Sequence, residues 1–126
     1  MATFSLVNEI KSKLPSIDFH SMKTAVLGTK YDLSLIIVET ARMKKLNTIY
    51  RDKETATDIL SFPLTETEGE IYISPDQAKI EAKKFGRPYE NFLAFLFIHG
   101  CVHLKGYDHG STMERIEQKI RDKFKI

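Results

Sequence analysis

Residues 92–109 read FLAFLFIHGCVHLKGYDH, and their interpretation decides how the rest of the chain must pack. Residues 92–98 are the longest unbroken apolar run in the protein, far short of the roughly 20 residues that would cross a bilayer. Pro88 suits the first turn of a helix, and Gly106 suits its end. A helix that is apolar on every side between those points runs through a core rather than over it. Toward the C-terminus, Ser111 and Glu114 have the spacing of a capping box, and Met113, Ile116, Ile120 and Phe124 predict a helix with one apolar stripe. Toward the N-terminus, Ser74, Pro75 and Gln77 predict a helix that closes at Phe85 and Gly86.

Before that helix, residues 57–64 and 70–74 predict two strands that pair antiparallel, joined by a polar connection containing Gly69. Pro63 near the end of the first strand means that the strand either finishes there or lies at a sheet edge. Residues 31–38 begin by alternating and become continuously apolar, as in a strand covered on both faces. Between these strands, Thr40 is expected to cap a helix that turns Met43, Leu46 and Tyr50 inward and Arg42, Lys44 and Lys45 outward. Phe19, Met22 and Val26 mark a short helix ended by Gly28. Residues 3–7 fit a strand, although Phe4, Val7, Ile10 and Leu14 also fit one helical face. Strands and helices together predict an α/β (α+β) fold: a small mixed sheet packed with helices, one of them threading the core.

The 126 residues amount to a single domain, 1–126, and 42% hydrophobic with 29% charged residues excludes a disordered chain. Cys101 is the only cysteine, so internal disulfides and cysteine-rich zinc modules are excluded. No basic-then-apolar leader opens the sequence, and the expected location is the cytoplasm, with no membrane association. A net charge of +2 means that any nucleic-acid contact must rest on a local basic patch. No Walker-type glycine loop is present, so ATP is not expected to be needed.

The chemistry concentrates in HGCVHLKGYDH. His99 and His103 are four residues apart, which on a helix puts both imidazoles on one face within reach of a single ion. Gly106 lets the chain turn back so that His109 can supply a third ligand. Three neutral imidazoles suit one divalent metal per chain, zinc best and nickel or another transition metal acceptably, and three protein ligands leave a fourth position for water. Such an ion acidifies its water and so supplies a nucleophile. A metalloprotease would carry its glutamate base where Gly100 stands, so peptidase chemistry is disfavoured. Cys101 is expected to point away as a buried apolar group, and His20 has no partner at ligand spacing. Asp108 either orients a ligand or caps the last helix, and Thr57 and Asp58 read as strand-entry residues.

HGCVHLKGYDH, LNTIYRDKETATDILSFP at residues 46–63 and GEIYIS at residues 69–74 together resemble the YbeY family of bacterial rRNA maturation endoribonucleases. The resemblance implies a metal-dependent, single-strand-specific RNA hydrolase acting in 16S rRNA 3′-end maturation and ribosome quality control. It places the metal histidines on His99, His103 and His109, and the arginine of an asparagine-x-x-tyrosine-arginine motif on Arg51. The sequence departs from the family's usual pattern at Cys101 and Val102, neither of them a ligand. Residues 42–53 hold Arg42, Lys44, Lys45, Arg51 and Lys53 against the single acid Asp52, with Tyr50 alongside. They could hold an RNA backbone and stack a base, or form a solvated helix face. The alternative function is a metal-stabilised ribosome-assembly factor that binds RNA or small-subunit proteins without cutting.

Overall fold

Four strands and five helices are found in the described residues of the computed structural model, 4–53, 55–106 and 110–126. In chain order they are β1 (Phe4–Asn8), α1 (Phe19–Leu27), β2 (Asp32–Ile37), α2 (Thr40–Arg51), β3 (Ile59–Thr65), β4 (Glu68–Ile73), α3 (Pro75–Lys84), α4 (Tyr89–Leu104) and α5 (Ser111–Phe124). The sheet order is β1-β2-β4-β3, with β1 and β4 parallel to β2 and β3 antiparallel to β4. The sheet is therefore mixed, as expected. Pro63 lies on the edge strand β3, beside an irregularity in the β3–β4 register, where its missing N–H costs the ladder nothing.

β2 lies inside the sheet, and its period-2 geometry feeds two cores. Leu33, Leu35 and Ile37 join Ile71, Ile73 and the apolar residues of α1 and α4. Ile36 and the following Val38 turn the other way, toward Met43 and Leu46 of α2 and Leu60 of β3. α4 buries Leu93, Phe97, Ile98, Cys101 and Val102 almost completely. Each large apolar side chain of this kind contributes roughly 1.5–3 kcal/mol, so the helix that carries the histidines is also the main packing element. Its C-terminal end is tied to α1, where Lys105 Nζ donates to the Val26 carbonyl at 3.0 Å. Among the described residues no helix is long and apolar enough to cross a membrane.

Several local expectations are corrected. Tyr50 is not an inward residue of α2: it is 64% exposed, and Asn47, one turn after Met43, is buried in its place. Asn47 can be buried because its amide donates to the Thr55 carbonyl at 2.7 Å. Thr40 and Ser111 are the first helical residues of α2 and α5, preceded by Glu39 and Gly110 at the cap positions, so neither caps its helix. Ser74 does stand at the cap of α3, without a side-chain cap bond. The side-chain cap that forms is Asp18, which accepts from the Ser21 N–H at 3.1 Å. Gly69 lies inside β4 rather than in a connection, because the β3–β4 turn is tighter than the sequence suggested.

Candidate active site

The last two turns of α4 hold His99 and His103 on one side while Gly100, Cys101 and Val102 are buried against the rest of the fold. The two imidazole rings stand edge to face, 85° apart in plane, with centroids 4.7 Å apart. A methyl group at Gly100 would approach Ser61 Oγ to 2.9 Å and the tips of Ile59 and Ile71 to 3.0 and 3.1 Å. A side chain here would have to displace these neighbours, so the packing around Gly100 suits a glycine rather than a protease base. Burial pushes the Cys101 thiol well above its ordinary range, so it behaves as an apolar filler.

α5 packs across α4 and delivers Glu117, whose carboxylate pairs with His99 Nδ1. A carboxylate accepts, so the ring proton lies on Nδ1, which leaves Nε2 as the nitrogen through which the neutral ring could bind a metal. Sequence reading missed Glu117. Its signal was an acid on an otherwise apolar stripe, four residues after the buried Met113 and three before Ile120.

A cleft of about 510 Å³ opens beside the imidazoles, and its walls include Arg51, Thr57, Ser61, Phe62, His99 and His103. Arg51 ends α2, and Asp52 follows it in the left-handed region at φ 53°, which turns the chain back. Asn47 braces this turn twice, through its side-chain amide to Thr55 and through its backbone carbonyl, which accepts from the Lys53 N–H at 3.3 Å. Of the basic residues expected to meet RNA, Arg51 alone lines the cleft. Arg42 pairs with Glu9 at 3.7 Å, and Lys44, Lys45 and Lys53 are exposed outside it. Tyr50 lies against Phe62 with ring centroids 5.0 Å apart. His20 is exposed and edge-on to Phe4.

The donor set fits a transition metal: two imidazoles one turn apart, one of them steadied by a carboxylate. His109 and Asp108 lie outside the described residues, and among the described residues no three histidine, cysteine or acidic side chains converge on one point.

Fold and site together define a small α/β protein whose cleft is lined by two histidines and an arginine. A family model, endoribonuclease YbeY, matches residues 6–125. The chain is 39% identical over 107 residues to the endoribonuclease YbeY of Nautilia profundicola, covering 79% of this chain and 77% of that protein. It is 37% identical over 118 residues to the endoribonuclease YbeY of a Sulfurovum species, covering 85% and 80%. The solution structure of TM1509 from Thermotoga maritima superposes with a TM-score of 0.68 at 24% identity, over 98% of this chain and 92% of that one, which supports the fold. The chain belongs to the YbeY endoribonuclease family, a family of hydrolases.

Proposed function

We propose that the cleft cuts single-stranded RNA, with 16S rRNA near its 3′ end as the substrate that the family resemblance implies. The observation that carries the reading is that Arg51 and the two α4 imidazoles, from elements distant in sequence, line one cleft. In this reading His99, His103 and His109 would hold one divalent ion, zinc being the cation the donors suit best, and Asp108 would orient a ligand. When bound, the ion would polarise a phosphate oxygen and make a water nucleophilic near neutral pH.

The chain's own residues do the remaining work. Arg51 presents a planar fork that can grip two phosphate oxygens and meet the charge that grows on them. The Thr57 and Ser61 hydroxyls on the same walls can hydrogen-bond phosphate or ribose oxygens, and a 2′-hydroxyl is the group that distinguishes RNA from DNA. Arg51→Lys keeps the charge and loses the fork. It should lower RNA turnover about 100-fold, the usual loss of a charge-stabilising donor, with metal content and melting midpoint unchanged. Turnover equal to wild type would remove Arg51 from the chemistry. An RNA-binding protein that retains its metal and cuts no RNA would instead establish the assembly-factor reading.

A further inference from the structure

A second cavity, of about 480 Å³, shares His99 with the first and opens between α4 and α5. Arg87, Phe95, His99 and Arg121 are among its walls. The Arg87 and Arg121 guanidiniums both lie against the Phe95 ring, 4.6 and 5.3 Å from its centroid. Phe95 in turn sits 6.0 Å, centroid to centroid, from His99. Two cations are thus gathered on one aromatic platform, immediately beside an imidazole of the candidate centre.

Among the described residues neither guanidinium is within ion-pair distance of a carboxylate. Glu117 borders the same cavity but is engaged by His99, and Glu114 is exposed on the rim. The polar partners are neutral: Arg87 Nη1 donates to Asn91 Oδ1 at 3.3 Å, and Arg121 Nη1 donates to Gln118 Oε1 at 3.4 Å. Arg121 Nε is buried with no hydrogen-bond partner among the described residues. Burial, and then the neighbouring Arg121 charge, holds the Arg87 guanidinium below its ordinary value. Two like charges held together and partly desolvated weaken the fold unless an anion joins them.

We propose that Arg87 and Arg121, held on Phe95, form a second phosphate subsite that grips the RNA backbone in the cavity that shares His99 with the Arg51 cleft. The proposal rests on the RNA-cleaving reading of the cleft. Paired forks match phosphate oxygens, and the cavity's continuity with His99 lets one strand pass from Arg51, over the imidazoles, to this pair. The subsite fixes the strand's register at the centre rather than taking part in bond breaking.

The test is the salt dependence of binding of a 2′-O-methyl single-stranded RNA oligonucleotide to the metal-loaded protein, wild type against R87Q/R121Q. Loss of one phosphate contact should flatten the plot of log affinity against log salt by about 0.7, with affinity roughly tenfold lower and bound metal unchanged. The variant's melting midpoint confirms that it folds, and R121Q alone carries the test if the double variant does not. An unaltered slope and affinity would overturn the subsite while leaving the RNA reading intact. Absence of salt-dependent RNA binding by wild type would overturn both. Inorganic phosphate is the other source of the same chemistry: if it protects wild type from melting while the RNA slope is insensitive to both arginines, the site takes a free anion and the proposal fails.

Discussion

Glu117 is an acid whose burial needs a reason, and its contact with His99 supplies one. A buried carboxylate without a hydrogen-bonded partner destabilises a fold, whereas one that accepts from an imidazole N–H fixes that ring's tautomer and raises its basicity as a ligand. Glu117→Ala should therefore weaken metal binding about 10- to 100-fold, with Glu117→Gln, which keeps an acceptor oxygen, lying between it and wild type. Competitive chelator titration measures this directly. Equal affinity in all three proteins would reduce Glu117 to a packing role.

At the scale of elements, the close seating of the end of α4 on the sheet is what holds the histidines in place. Gly69 of β4 makes room for it. A methyl group there would stand 2.4 Å from Tyr31 Oη and 3.1 Å from both Leu104 methyls, and Leu104 directly follows His103. Tyr31 is a rigid buried ring, so Gly69→Ala should lower unfolding free energy by about 1–3 kcal/mol in urea titration, the usual cost of overpacking. A variant as stable as wild type would show that this contact yields freely. Gly69 also shows where sequence reading stops. The mixed sheet, the threading α4 and the His99–His103 pair were legible because long apolar runs, alternation and i,i+4 spacing are local signals. Gly69 read as turn punctuation because its actual constraints come from Tyr31, 38 residues earlier, and from Leu104 of α4, 35 residues later. Tyr50 read as inward because periodicity treats an aromatic as core, whereas the polar Asn47, bonded to Thr55, is the residue buried and Tyr50 lies exposed against Phe62. Glu117, Arg87 and Arg121 acquire their meaning only from contacts that a linear pattern does not encode.

For the whole molecule, stability should carry a mark of Asp58. Burial first, and the Glu81 charge second, hold its carboxyl above the usual carboxylate range. The folded chain thus binds this proton more tightly than the unfolded chain, so the contribution favours folding at low pH and is lost as pH rises through the raised value. Asp58→Asn keeps an acceptor oxygen and removes the charge. Its melting midpoint should exceed that of wild type at neutral pH, with the gap closing on acidification below the ordinary carboxylate range, and an unchanged or lower midpoint at neutral pH would contradict the sign. The central claim, that the imidazoles and Arg51 make one metal-dependent RNA-cutting cleft, is tested most directly by turnover of a labelled single-stranded RNA. Wild type and His103→Ala would each be assayed after chelator stripping and again after addition of one equivalent of zinc. Stripped wild type should be inactive and recover on reloading, and His103→Ala should recover nothing. Full turnover by stripped wild type, or by His103→Ala, would contradict it.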